Sequence, residues 1–174
     1  MGMDSFGQQS DMMYLYETYA DMVYRIGYCY FGNRHDTQDV VQGVFLKLLD
    51  GNLPTFQDTE HEKAFLIVMT KNYCKDILKS SWRKKRVQEQ EIQILQQESG
   101  LRVDMAYALM RLPEKYKLTL YLYYYEGYSV KEIAKLLKQK ETTIQTHLLR
   151  GRKKLKIELE QEGYYDRKRS QGTI

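Results

Sequence analysis

Apolar residues recur along this chain at three- and four-residue spacings, the period of a helix with one buried face. From Asp11 to Phe31, Met12, Leu15, Tyr19, Met22, Val23 and Ile26 share one side of a long helix. Residues 1–10 read as a loose tail before it, and Gly32-Asn33 ends it. Asp36 is suited to cap a second helix, with Asp39 favoured by the positive N-terminal end of the helix dipole. Val40, Val41, Val44, Leu48 and Leu49 form that helix's expected buried stripe, and Asp39, Gln42 and Leu46 fall on its other side as one continuous strip. Such a strip is either a docking surface or an ordinary wet face. After a loop at Gly51-Asn52-Leu53-Pro54, a third helix is expected from His61 to about Lys85. Its core side is read as Ala64, Phe65, Val68, Met69, Tyr73 and Ile77. Its basic side is read as Lys63, Lys71, Asn72, Lys75 and Lys79, followed by Trp82 and the run Arg83-Lys84-Lys85-Arg86.

The periodicity then lapses. Val87 to Gly100 is rich in Gln and Glu, with Ile92, Ile94 and Leu95 as its apolar anchors, too few to fold alone. Leu101 to Leu112 reads as a helix, and Pro113 suits the first turn of the next. That next helix carries Leu118, Leu120, Tyr121, Leu122 and Tyr125 and stops at Gly127. Its tyrosine cluster reads as core and rim of a small domain. Ser129 followed by Glu132 is a capping box, with Ile133, Ala134, Leu136 and Leu137 inside a helix of about two turns. Lys138-Gln139-Lys140 leaves room for a tight turn. Glu141 and Thr142 start a helix whose inward residues are Ile144, Leu148, Gly151 and Leu155. Gln145, Thr146, Leu149, Arg150, Arg152 and Lys153 lie away from that line. This is the layout of a helix-turn-helix, whose second helix can enter a DNA major groove. A helical hairpin with a solvated basic face has the same pattern. The tail after Glu162 is polar.

Composition narrows these readings. Two prolines in 174 residues, with long amphipathic runs, favour an all-α chain. The expectation is two small helical domains joined by a linker, over 11–86, 87–101 and 102–162, the second being a four-helix domain that contains the helix-turn-helix. The net charge is only +4, but it is unevenly spread. Residues 1–60 hold three Lys/Arg against nine Asp/Glu, and residues 61–86 hold eight against two. Residues 87–112 hold two against four, and residues 113–174 fourteen against eight. Two basic blocks separated by acidic ones suit two polyanion contacts and a further surface for another partner. On the third helix, cations for a backbone lie beside the Trp82 ring, which suits unstacked bases of a single strand. Cys29 and Cys74 are far apart and lack metal-ligand spacing, so they read as buried thiols of a reducing compartment. No apolar run of about 18 residues and no leader pattern is found, so the expectation is a cytoplasmic protein without a membrane span. His35, His61 and His147 are scattered, and there is neither a nucleophile–base pair nor a Gly-rich phosphate loop. The chain is therefore not expected to be an enzyme, and neither a cofactor nor a metal is expected.

Two stretches together resemble the small, extracytoplasmic-function (ECF) type of the bacterial sigma-70 family of RNA polymerase sigma factors. The first carries Asp39-Val40-Val41-Gln42, Val44-Phe45, Lys47-Leu48, Phe65-Leu66, Asn72, Asp76 and the basic run. The second carries Leu112-Pro113-Glu114-Lys115-Tyr116, Tyr124 to Ser129, Glu132-Ile133-Ala134, Thr143-Ile144 and Arg150-Gly151-Arg152. The resemblance implies a promoter-specificity subunit whose partners are core RNA polymerase and promoter DNA, with room for an anti-sigma protein. It implies that Asp39, Gln42 and Leu46 dock on the clamp helices of the polymerase largest subunit. It assigns the minus-ten element to Asn72, Lys75, Asp76, Lys79, Trp82, Arg83, Lys84 and Arg86. It assigns the minus-thirty-five element to Lys140, Thr142, Thr143, Gln145, Thr146, Arg150 and Lys153. The chain departs from the family pattern at Phe65, where Trp is usual, and at Gln38 and Gly43, where acidic residues are usual. It departs again at Lys138-Gln139-Lys140, where the turn usually has Gly, an apolar residue and Ser, and at Gly151, where Ala is usual. A stand-alone helix-turn-helix regulator with a protein-binding N-terminal domain is the alternative reading.

Overall fold

The computed structural model describes residues 4–51, 53–80 and 108–161, side chains of 4–10 and 161 excepted. The chain divides into two compact units, Met1–Arg86 and Val87–Ile174. All regular structure among the described residues is helical.

In the first unit, α1 (Asp4–Phe31) packs on α2 (Arg34–Asp50) and α3 (Thr59–Ser80). The helix begins seven residues before the expected start, in place of a loose tail. An acidic residue at its first position suits the helix dipole, and no proline interrupts it. Met12, Leu15, Tyr19, Met22, Val23 and Ile26 are all buried, as their spacing requires. Asn33, not Asp36, caps α2. Its Oδ1 accepts the Asp36 N–H at 2.8 Å, while its Nδ2 donates to the Asp36 carboxylate at 2.9 Å. The α2 stripe of Thr37, Val40, Val41, Val44, Phe45 and Leu48 is buried, but Leu49 is 58% exposed and does not belong to it. On α3, which starts two residues early behind an Asp58 cap, the buried line is Leu66, Ile67, Thr70, Lys71 and Cys74. Ala64, Phe65, Val68, Met69, Tyr73 and Ile77 are only half-buried, so the expected core face is about one position out of register. Lys71, assigned to the basic side, is buried; a long apolar stem lets lysine line a core edge. Cys29 and Cys74 are buried thiols with no disulfide between them.

In the second unit, residues 108–111 are helical and lead into α4 (Glu114–Leu120), with Pro113 just outside the helix at its cap. The expected continuous helix to Gly127 is interrupted. Tyr121–Tyr125 forms one wide π-helical turn, closed by Glu126 N–H donating to Tyr121 O at 3.1 Å. Gly127, at φ 76°, ends it. Then come α5 (Val130–Leu137) and α6 (Glu141–Gln161), with α6 packed on α4 and α5. Ile133, Ala134, Ile144, Leu148, Gly151 and Leu159 are buried, while Leu155, expected on the same inward line, is only half-buried. Gly151 permits a close approach, because a Cβ there would stand 3.2 Å from Leu120 Cδ1 and 3.3 Å from Tyr116 Cβ. The expected linker 87–101 and the start of the helix at Leu101 lie outside the described residues.

Candidate nucleic-acid interface

The helix-turn-helix is fixed at both of its joints. Ser129 Oγ accepts the Glu132 N–H at 3.3 Å, and the Glu132 carboxylate accepts the Ser129 N–H at 2.8 Å and its hydroxyl at 2.6 Å. These hydrogen bonds hold the Glu132 carboxyl below its ordinary range. At the other end of α5, Lys138 adopts φ 53°, ψ 50°, the left-handed conformation. The Gln139 N–H then donates to Ala134 O at 2.9 Å, closing the helix. The turn thus needs a positive φ, and this chain meets the need without glycine.

The start of α6 is held by Lys140 O, which accepts from Thr143 and Ile144. Because Ile144, Leu148, Gly151 and Leu159 face inward, Thr142, Gln145, Leu149, Arg150, Arg152 and Lys153 are exposed, along with Lys138, Gln139 and Lys140 in the turn. Thr143 and Thr146 are half-buried, and the Thr146 hydroxyl donates to Thr142 O at 2.7 Å. The expected contact residues Lys140, Thr142, Thr143, Gln145, Thr146, Arg150 and Lys153 therefore gather at the turn and along one accessible side of α6. Leu149 stands among them, 68% exposed, four residues from both Gln145 and Lys153. Sequence reasoning put it on the outer side but gave it no role. An apolar side chain amid cations and amides suits contact with a thymine methyl. Just inside this face, His147 meets the Tyr116 ring edge-on at 5.6 Å. Burial, with Lys115 and Arg150 nearby, pushes its imidazole below the usual pKa.

In the first unit, α3 brings Asn72, Lys75, Asp76 and Lys79 onto one exposed face, at spacings of three, one and three. Trp82, Arg83, Lys84 and Arg86 lie outside the described residues. On α2, Asp39, Gln42 and Leu46 are exposed together, as the spacing required, and Leu49 extends the strip by one more turn. The strip thus changes from polar to apolar along the helix, a gradient that could have been read from the three-residue step from Leu46 to Leu49. Beside it, Tyr16 packs edge-on against Phe45 at 4.9 Å. His35 Nδ1 lies 3.3 Å from the Asp39 carboxylate. Although His35, Asp36 and Asp39 bring ligand-type atoms within 4.8 Å of one another, Asp36 is engaged by the Asn33 cap.

The family model for sigma-70 region 2 matches residues 15–84, and that for sigma-70 region 4 matches residues 102–155. The chain belongs to the ECF type of the sigma-70 family. It is 26% identical over 142 residues to RNA polymerase sigma factor SigV of Bacillus subtilis, covering 80% of this chain and 85% of the relative. It is 27% identical over 167 residues to the ECF RNA polymerase sigma factor SigE of Mycolicibacterium smegmatis, covering 88% of this chain and 64% of that one. Among solved structures, the sigma factor RpoE of Bartonella quintana, crystallised with the anti-sigma factor NepR, has the same fold. It superposes with a TM-score of 0.60 at 15% identity, over 86% of this chain and 97% of that one. A sigma factor that carries both regions is a promoter-recognition subunit, and this disfavours the stand-alone regulator. Among the described residues, no helix of this sigma factor is long and apolar enough to cross a membrane.

Proposed function

We propose that this sigma factor, with no catalytic group of its own, binds core RNA polymerase in the cytoplasm through α2 and directs it to promoters through α3 and α6. Asp39, Gln42 and Leu46, with Leu49, form the polymerase-docking strip. Its mixed acidic, amide and apolar character suits a protein surface better than a polyanion. Asn72, Lys75, Asp76 and Lys79 on α3, continued by Trp82, Arg83, Lys84 and Arg86, hold the opened minus-ten element. Cations there neutralise the backbone, and amide and aromatic groups engage unpaired bases. Lys140, Thr142, Thr143, Gln145 and Thr146 face the minus-thirty-five duplex at the N-terminal half of α6, with Arg150 and Lys153 at phosphates. An anti-sigma protein is the partner through which such a chain would be held inactive, as RpoE is found with NepR.

The observation that carries this reading is the match to both sigma regions in one chain, each presenting an exposed face of the required chemistry. Gel filtration of the full chain with core polymerase tests it. Co-elution is expected, weakened by Asp39→Ala and by Gln42→Ala; affinity unchanged by both would remove the α2 assignment. Selection of bound duplexes by the assembled complex should return one motif, altered by substitutions at Gln145 or Thr146.

A further inference from the structure

The tyrosine turn does more than fill a rim. Tyr123 and Tyr124 meet edge-to-face, their centroids 5.0 Å apart and their planes at 80°. The Arg152 guanidinium carbon lies 5.6 Å from the Tyr123 ring centre and 5.4 Å from that of Tyr124. Tyr124 is 63% exposed, so this pairing is not a consequence of core burial. Arg152 is exposed on α6, seven residues and two turns beyond Gln145, and so on the same flank. Among the described residues no carboxylate pairs with it. A guanidinium drawn to aromatic rings by cation–π attraction is positioned without giving up its N–H donors to a carboxylate, which leaves them for an anionic acceptor.

We propose that Arg152 is a DNA phosphate contact of α6 and that Tyr123 and Tyr124, supplied by the π-helical turn, are its positioning residues. The inference rests on the reading that α6 enters duplex DNA. It extends that reading to a second element, which grips the backbone through the arginine. The wide turn matters because it alters the register of the tyrosines relative to an uninterrupted α4. The side of α6 that carries Gln145 and Lys153 favours DNA over an acidic protein surface as the partner.

The test uses the full chain and a labelled mixed-sequence duplex, since phosphate contacts are independent of sequence. Arg152→Ala should weaken binding and flatten the salt dependence by about one unit of slope. Tyr124→Leu should weaken binding about two- to fivefold with the slope unchanged, because the cation stays while its preferred position is lost. Tyr124→Phe should restore the wild-type affinity, and Tyr124→Leu should add no loss in the Arg152→Ala background. A Tyr124→Leu effect that persists without Arg152 would overturn the positioning role. Normal DNA binding by Arg152→Ala, alongside weakened binding by Lys153→Ala, would overturn the inference while leaving the α6 assignment standing. Normal binding by Arg150→Ala, Lys153→Ala and Arg152→Ala alike would remove that assignment and the inference with it. Loss of core polymerase binding by Arg152→Ala, with DNA binding intact, would reassign the arginine to a protein contact and also overturn the proposal.

Discussion

At the scale of single residues, the joints of the helix-turn-helix are the most legible part of the chain. Ser129 and Glu132 announce a capping box because few other residue pairs satisfy two orphan N–H groups at once, and both bonds are present. The left-handed residue at Lys138 was foreseeable only as a cost, since a turn built without glycine must place some side chain at positive φ. Lys138→Gly should raise the stability of the second unit by about 0.5–1 kcal/mol. The left-handed penalty of an L-residue outweighs the extra chain entropy of glycine. Thermal unfolding measures this; an unchanged or lower midpoint would contradict the assignment of strain. His147 gives a pH signature. Its folded pKa lies below the ordinary 6.5, so the folded state takes up a proton less readily than the unfolded chain. Its contribution is complete above that unfolded value and is lost as pH falls through the lowered one. The midpoint should therefore fall on acidification below about pH 6.5 by more in the wild type than in His147→Gln. Equal falls would dismiss the histidine.

Among the helices, legibility depends on the width of the apolar arc. The α2 pattern is narrow, so its buried and exposed strips follow from spacing, and only Leu49 was misassigned. Its apolar character put it in the core, yet its position continues the line of Gln42 and Leu46. Around α3 the apolar residues occupy so much of the circumference that the sequence leaves the centre of the core face open. Contact with α1 and α2 then selects Leu66, Ile67, Thr70 and Cys74. A consequence is the position of Tyr73, whose ring crosses onto α2 over Gly43. A Cβ built at Gly43 would run into the hydroxyl end of that ring. Gly43→Ala should therefore displace Tyr73 and cost about 1–3 kcal/mol, as overpacking does. The same change in a Tyr73→Ala background should cost markedly less; equal costs in a double-mutant cycle would show that the two do not interact. On the exposed side, Leu46→Lys or Leu49→Lys should weaken core polymerase binding while leaving the thermal midpoint within about 0.5 kcal/mol of wild type, since both side chains face solvent. A large stability loss from either would place that leucine in the core after all.

At the scale of the whole molecule, the two region matches and the two compact units give the chain its character: two helical bodies with exposed chemistry of different kinds. The charge blocks made this division visible, because acidic and basic stretches alternate along the sequence. The π-helical turn was not visible, since a run of Tyr and Leu fits an α-helix equally well. The central claim is that this chain confers promoter choice on RNA polymerase. Run-off transcription with purified core polymerase on a library of genomic fragments tests it most directly. The account predicts transcripts that start at a discrete set of sites only when the chain is added, and that share sequence elements near minus ten and minus thirty-five. A chain that leaves core polymerase as unselective as it was alone would contradict it.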